Sequence, residues 1–249
     1  MKLLIDIGNT SSKLAVTEGE RFLHSERLTE TWADALHRLH TTFDINRIVV
    51  SCVGRAGEEL RSLLDDAPSD ATPYTWLAWD TPCTIKGVPE GYGADRLAAD
   101  IGAYTGQHAL LVIDAGTCIT YDLIIDGCLA GGVISPGVQL RLNAMHDYTA
   151  ALPQINAQRC IEAIETIEAI ETIETIKKPI PLWGNDTHSC MLSAAIRGAN
   201  FEAEGYIRSL LAEHPDLCVI TTGGNPLEIS KELPHTYDPL LVLRGLNKI

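Results

Sequence analysis

The chain has 249 residues, which is enough for one large domain or two small ones with a sizeable core. A formal net charge of -14 argues against binding to nucleic acid or to an anionic membrane, because both need clustered lysine and arginine, but it leaves ATP binding open. Seven scattered cysteines without zinc spacing, no visible secretory signal and no apolar stretch of bilayer length favour a soluble cytoplasmic protein with reduced thiols.

The first half of the chain is predicted to form three strands, a helix, a strand and two helices. Apolar runs predict the strands, and helical spacing after a cap at Thr31 or a neighbouring residue predicts the first helix. A proline-rich loop precedes the last of these helices. The predicted strands are 2–7, 13–16, 21–27 and 47–53, and the predicted helices are 31–39, 58–64 and 94–104.

The second half restarts the same pattern. Its predicted strands are 109–113, 118–125, 129–134 and 217–222, and its predicted helices are 139–145, 188–211 and 239–246. This order resembles the plan of the actin-like, sugar-kinase-like and Hsp70-like ATPases. We therefore predict an α/β fold of two actin-like (ribonuclease H-like) half-domains with mixed sheets flanked by helices, divided into residues 1–107 and 108–249.

Residues 161–176 break this pattern, because isoleucine recurs at every third position and glutamate follows it each time. A three-residue step winds the apolar stripe around a helix, so it specifies neither a heptad seam nor a fixed core face. The alternation of a strand is absent too. Two interpretations stay open for the insert at about 156–178, namely an expanded repeat in a tolerant loop or a helical arm for subunit contact.

One motif occurs twice, and each copy follows an apolar run that is typical of a buried strand. The first copy is Asp6-Ile7-Gly8-Asn9-Thr10 with Lys13 nearby, and the second is Asp114-Ala115-Gly116-Thr117. Glycine permits a tight turn that presents backbone N–H groups, a hydroxyl and a carboxylate at one point, which suits a phosphate with its cation. A single copy also fits a plain structural turn, but two copies favour two half-domains that face one nucleotide.

A helix is predicted to begin in the segment Gly91-Tyr92-Gly93-Ala94-Asp95-Arg96, and a helix N-terminus favours anions. Asp95 is interpreted either as a general base for a substrate hydroxyl or as a helix cap. Arg96 is interpreted either as a bidentate clamp for a carboxylate or phosphate or as a surface arginine.

Two further elements lie in the second half. Gly223 and Gly224 follow a predicted strand, and we interpret them as a nucleotide contact, with a plain turn as the alternative. Thr187 opens another predicted helix and is interpreted as its cap. The chain has no Walker A motif and no triad-like grouping of histidines, so the patterns of a P-loop kinase and of a nucleophilic hydrolase are absent.

The ordered set of these motifs resembles the type III pantothenate kinases over essentially the whole chain except residues 156–178. It comprises the two turns, the helix start at 93–96, the segments 131–137 and 184–187, and Thr222-Gly223-Gly224. The resemblance implies an actin-like fold and ATP-dependent phosphorylation of pantothenate, the first committed step to coenzyme A. It also implies a homodimer that needs Mg²⁺ and a monovalent cation, K⁺ or NH₄⁺.

The resemblance further implies a role for each matched residue. Asp95 is expected to be the catalytic proton acceptor, and Asp114 is expected to bind the monovalent cation. The ATP phosphates and Mg²⁺ are expected to contact Asp6, Gly8, Asn9, Thr10, Lys13 and Thr117. Pantothenate is expected to contact Gly93, Ala94, Asp95, Arg96 and, across the dimer interface, Thr187.

One departure from the family concerns the substrate contact. The family usually has a substrate-contacting tyrosine upstream of the Gly-x-Asp-Arg motif, where this chain has Lys86, and Tyr92 is not in that register. Two alternative functions follow: a non-catalytic regulator that kept the fold, or an actin-like phosphotransferase for another small hydroxylated substrate. The presence of Asp6, Asp95 and Asp114 favours catalysis over regulation.

Overall fold

The computed structural model describes residues 1–53, 57–68, 71–157, 180–225 and 227–249. Within these ranges the chain forms two five-stranded mixed sheets flanked by helices, which confirms the predicted α/β fold class. The Ile-Glu repeat at 161–176 lies outside the described residues, so both interpretations of it stay predictions.

The described residues of the first half form five strands and three helices: β1 (Lys2–Ile7), β2 (Ser12–Glu18), β3 (Arg21–Arg27), α1 (Trp32–Thr42), β4 (Arg47–Cys52), α2 (Glu58–Asp65), β5 (Tyr74–Trp76) and α3 (Ala94–Ala103). The strand order in the sheet is β3-β2-β1-β4-β5. β1 therefore runs through the middle of the sheet, antiparallel to β2 and parallel to β4.

The second half repeats this arrangement: β6 (Ala109–Ala115), β7 (Cys118–Ile125), β8 (Cys128–Pro136), α4 (Val138–Asp147), α5 (Thr187–Glu213), β9 (Cys218–Thr222), β10 (Thr236–Tyr237) and α6 (Leu241–Asn247). Its strand order is β10-β9-β6-β7-β8, in which β6 takes the central place that β1 has in the first sheet. β6 is likewise antiparallel to the strand that follows it and parallel to β9.

Both central strands are nearly continuous apolar runs because the sheet is covered on both faces. Leu3, Leu4 and Ile5 in β1 have no exposed surface, and residues 109–113 in β6 are buried in the same way. The aspartates of the repeated motif, Asp6 and Asp114, occupy the penultimate position of these two strands. Equivalent places in two similar sheets therefore present equivalent carboxylates.

The two halves share a hydrophobic core. One cluster contains Leu4 of β1, Leu97 of α3, Leu110 of β6 and Leu243 of α6. Helix α6 comes from the far end of the chain, yet it lies so close to α3 that a Cβ atom on Gly245 would overlap the backbone of that helix. The chain passes from one sheet to the other between α3 and β6, and the division into residues 1–107 and 108–249 stays a prediction.

The predicted elements are confirmed with ends that differ by a few residues. Thr31 is the cap of α1, as predicted, and its hydroxyl accepts a hydrogen bond from the backbone N–H of Asp34 at 3.2 Å. The strands β5 and β10 were not predicted, since each is only two or three residues long and is defined by its pairing with a neighbouring parallel strand.

Candidate active site

The two turns that follow β1 and β6 meet each other. The hydroxyl oxygens of Thr10 and Thr117 are 2.9 Å apart, although 107 residues separate them in the chain. Each turn is closed by a backbone hydrogen bond, from Gly8 N–H to Ser11 O at 3.1 Å and from Gly116 N–H to Cys118 O at 2.9 Å. The structure thus brings the two copies of the motif to one place between the sheets.

Asp6 lies at this meeting point with one carboxylate oxygen fully buried. Its Oδ1 and the nearby Ser51 hydroxyl make no hydrogen bond of normal geometry in the described part of the chain. Burial raises the pKa of Asp6 from 3.8 to about 7, Lys13 opposes the shift, and the charges of Asp95 and Asp114 add to it. Lys13 is its direct cross-strand neighbour on β2.

Asp114 has a similar environment at the end of β6. Burial raises its pKa from 3.8 to about 6, the charge of Asp95 adds to the shift, and Lys13 opposes it. Three carboxylates, those of Asp6, Asp95 and Asp114, therefore interact around one lysine. Such an excess of negative charge is relieved by protonation or by a bound cation.

Asp95 lies in the first turn of α3 and is not the cap of that helix. The N-cap is Gly93, which makes no side-chain capping bond. The Oδ1 atom of Asp95 instead accepts a hydrogen bond from the backbone N–H of Arg96 at 2.8 Å. Burial raises the pKa of Asp95, while that backbone bond and the Arg96 charge lower it. The interpretation of Asp95 as a cap is therefore wrong.

Arg96 is not a surface arginine, because only 15% of its side chain is exposed. Its guanidinium forms a two-point ion pair with Asp122 of β7, in which Nε donates to Oδ2 at 3.1 Å and Nη2 donates to Oδ1. Sequence reasoning missed Asp122, which is 1% exposed. The signal that could have identified it is a charged residue in the middle of strand pattern 118–125, which is otherwise uncharged.

The loop after β9 braces the second turn. Gly223 has a φ of 104°, and a Cβ atom there would overlap the backbone of Ala115. Asn225 donates from its backbone N–H to Ala115 O at 3.0 Å, and Tyr237 donates to Gly223 O at 2.8 Å. Gly224 is exposed beside them. Close approach to the second turn therefore explains the glycine at 223.

Thr187 lies apart from the meeting point of the turns. It is the first residue of α5, and the cap is Asp186, which accepts a hydrogen bond from Ser189 N–H at 2.8 Å, so the interpretation of Thr187 as the cap is wrong. Thr187 lines an open groove of about 520 Å³ together with Met145 and Met191. None of Asp6, Asp95 and Asp114 lines that groove.

Lys86 is exposed, and its backbone joins the edge of the second sheet. Its N–H donates to Gly127 O at 2.8 Å and its carbonyl accepts from Leu129 N–H at 2.8 Å.

Among the described residues, no group of three or more His, Cys, Asp or Glu side chains is arranged to hold a metal ion by itself. No described helix is both long enough and apolar enough to cross a membrane.

A model of the family described as type III pantothenate kinase matches residues 2–209 of this chain. The chain belongs to the type III pantothenate kinase family. A curated type III pantothenate kinase from Phocaeicola vulgatus is 33% identical over 257 residues, covering 100% of this chain and 97% of that relative.

Solved structures support the fold. A conserved protein from Campylobacter jejuni, proposed to be a Baf family transcriptional activator, is 21% identical and covers 99% of this chain and 96% of its own, with a TM-score of 0.55. A proposed 2-dehydro-3-deoxygalactonokinase from Sinorhizobium meliloti is 12% identical, covers 99% of this chain and 97% of its own, and has a TM-score of 0.51. At these identities the likeness concerns the fold alone.

Proposed function

We propose that the chain transfers the terminal phosphoryl group of ATP to the primary hydroxyl of pantothenate, giving 4'-phosphopantothenate at the start of coenzyme A synthesis. The observation that carries the proposal is the meeting of both Asp-x-Gly turns beside Asp95, in a chain that belongs to this kinase family. A two-turn cleft with a buried carboxylate is suited to phosphoryl transfer, which depends mainly on positioning and charge stabilisation.

The ATP phosphates are proposed to lie between the two turns. The first turn would contribute Gly8, Asn9 and Thr10, and the second Thr117, through backbone N–H groups and hydroxyls. Lys13 would supply a positive charge from β2. Gly223 and Gly224 would approach the nucleoside, which the position of Gly223 against the second turn supports.

The residues present fit a bound cation. Asp6 has a buried Oδ1 without a hydrogen bond of normal geometry among the described residues, and the pKa values of Asp6 and Asp114 are raised mainly by burial and further by the charges of neighbouring carboxylates. We propose that Asp6 contributes to holding Mg²⁺ and that Asp114 holds K⁺ or NH₄⁺. One protein carboxylate suffices for Mg²⁺, because this ion usually completes its shell with water and substrate phosphates. The bound cation would supply charge neutralisation on the phosphate oxygens.

Asp95 is proposed to take the proton of the pantothenate hydroxyl. Burial raises its pKa above the usual carboxylate range, which makes it a stronger base, while the Arg96 backbone N–H fixes the orientation of its carboxylate. Gly93 leaves room for that carboxylate, since a Cβ atom at Gly93 would come within 2.7 Å of Asp95 Oδ1. Gly93 and Ala94 would contact pantothenate beside it, and Arg96 would bind its carboxylate.

A homodimer is proposed because Thr187 does not reach the cleft of its own chain. The exposed side chains of Leu182 and Trp183 directly precede the Thr187 element, and Trp183 is 86% exposed. A second copy that covers them would bring Thr187 to the cleft of its partner. We expect the wild type to sediment as a dimer and Trp183→Arg to sediment as a monomer. The control is Trp79→Arg, which changes an exposed tryptophan of the first half and should sediment as a dimer.

The deciding experiment measures ATP turnover with pantothenate and Mg²⁺, in K⁺ or Na⁺, for wild type and Asp95→Asn. Turnover that needs pantothenate and K⁺ and falls by about 10² to 10⁴-fold in the variant supports the function and the base. Folded protein that binds ATP but turns over neither pantothenate nor other small alcohols would instead favour a regulator. Full activity of Asp95→Asn would refute the assignment of the base.

A further inference from the structure

The Arg96 side chain is bound by a carboxylate of its own chain. Asp122 contacts it through two atoms, Nε and Nη2, and this ion pair joins α3 of the first half to β7 of the second half. Asp122 has almost no exposed surface, so the pair is shielded from water and from salt. Bidentate contact with a buried carboxylate fixes both the position and the plane of the guanidinium.

Tyr92 restricts the guanidinium from one face. The central carbon of the Arg96 guanidinium lies 4.5 Å from the centre of the Tyr92 ring. The Tyr92 hydroxyl donates to Oδ2 of Asp100 at 2.8 Å, and Asp100 is completely buried. The ring is therefore held in place from its far end.

Gly132 of β8 leaves the space in which this pair forms. A Cβ atom at Gly132 would lie 2.6 Å from Oδ1 of Asp122 and would overlap Nη2 of Arg96. Any larger residue at this position would displace the ion pair. Gly132 on this exposed edge strand is therefore explained by the space that the ion pair of Arg96 needs, and not by the geometry of the strand.

A guanidinium has five N–H groups, of which Asp122 uses one on Nε and one on Nη2. The side edge of the guanidinium, which is formed by Nε and Nη2, is therefore occupied by Asp122. Of the three N–H groups that Asp122 does not use, one on Nη1 and one on Nη2 form the end edge of the guanidinium, and the other one on Nη1 points back towards Cδ. A carboxylate can still be bound there by two parallel hydrogen bonds.

We propose that Asp122 and Tyr92 are positioning residues that present the end edge of Arg96 to the carboxylate of the substrate. The inference rests on the proposed function, because it takes that substrate to be a hydroxy acid. The contacts that Asp122 and Tyr92 make with Arg96 then explain why the enzyme would prefer an acid substrate over a neutral alcohol. Without Asp122, Arg96 would turn towards the buried carboxylate of Asp100, since the charges of these two residues interact.

The test compares pantothenate with pantothenyl alcohol, which keeps the reacting hydroxyl and lacks the carboxylate. Steady-state kinetics are measured for wild type, Arg96→Lys, Asp122→Asn and Tyr92→Leu. The control is Glu26→Gln, which removes a carboxylate from an ion pair with Arg38 on the outer side of the first sheet. Melting temperatures and the KM for ATP report on any general structural damage.

We expect wild type and Glu26→Gln to prefer pantothenate. Asp122→Asn and Tyr92→Leu should raise the KM for pantothenate by about tenfold, the effect of losing one charged hydrogen bond, and leave kcat, the KM for ATP and the KM for pantothenyl alcohol within about twofold. The proposal would be overturned if these variants raised the KM for pantothenate and the KM for pantothenyl alcohol equally, or if they left the preference for pantothenate unchanged. Tyr92→Leu keeps the test decisive if Asp122→Asn fails to fold.

A second measurement separates this inference from the proposed function. The Nε–H nuclear magnetic resonance signal of Arg96, assigned with Arg96→Lys, should exchange slowly with water in wild type and rapidly in Asp122→Asn. This outcome does not depend on catalysis. If the wild type phosphorylates neither pantothenate nor pantothenyl alcohol, the proposed function is refuted. If the wild type is active but its Arg96 Nε–H exchanges rapidly with water, only the positioning role is refuted.

Discussion

Replacing Asp6 with asparagine is predicted to stabilise the ligand-free protein while abolishing its use of ATP. The pKa of Asp6 is raised from 3.8 to about 7, mainly by burial. At about 1.36 kcal/mol per pKa unit, ionising this side chain in the folded state costs at most about 4 kcal/mol. Partial exposure of the residue lowers this figure, so we expect Asp6→Asn to gain about 2 to 4 kcal/mol at about pH 8.5.

The pH dependence gives this prediction its sign. A raised folded-state pKa means that the protonated side chain contributes stability below about pH 4, which is lost as the pH rises through about 7. The advantage of Asp6→Asn should therefore be larger at about pH 8.5 than at about pH 5, by about 2 to 3 kcal/mol. Mg²⁺ with ATP should stabilise the wild type and not the variant.

Urea unfolding at both pH values, without metal or nucleotide, measures these differences. Asp80→Asn, a change in an exposed turn, is the control and should leave the free energy of unfolding within about 0.5 kcal/mol. A variant that is no more stable than wild type at high pH would refute the reasoning. An equal gain at both pH values would also refute it, because the effect would then not come from ionisation.

Three further predictions concern the turns and the helix contact. Thr117→Val should raise the KM for ATP by about tenfold and change the melting temperature little, because it removes an exposed hydroxyl that faces Thr10. Gly223→Ala should weaken ATP binding and lower the free energy of unfolding by more than about 1 kcal/mol, measured by calorimetry and urea unfolding, because its φ is 104° and its Cβ meets the second turn. Gly245→Ala should destabilise by about 3 kcal/mol through its clash with α3, whereas Gly205→Ala, with open space at its Cβ in α5, should stabilise by about 0.5 to 1 kcal/mol. Similar melting temperatures for these last two variants would contradict the packing of α6.

Local patterns were sufficient to predict most of the fold. The apolar runs at 2–7 and 109–113 fixed the central strands because a strand covered on both faces must be apolar throughout. Thr31 was found as a cap because its hydroxyl acts on a backbone N–H only three residues away. Short strands escaped prediction, since β5 and β10 exist through pairing with distant residues.

The candidate site was predictable where it repeats. Two Asp-x-Gly-type motifs at equivalent strand ends pointed to a shared cleft, and the structure brings Thr10 and Thr117 into contact. Asp122 was missed because its partner, Arg96, is 26 residues away in sequence and belongs to the other half. Thr187 was misread as a cap because Asp186, one residue earlier, has the same capping chemistry.

The sequence by itself determined the two repeated sheets, the strand ends that carry Asp6 and Asp114, and the helix that begins before Asp95. Periodicity and turn chemistry act over a few residues, so they can be read from the chain directly. Only the tertiary structure decided that Arg96 is bound by Asp122, that α6 packs on α3, and that burial raises the pKa of Asp6 to about 7. These properties depend on burial and on charges brought together from distant residues, which no local pattern specifies.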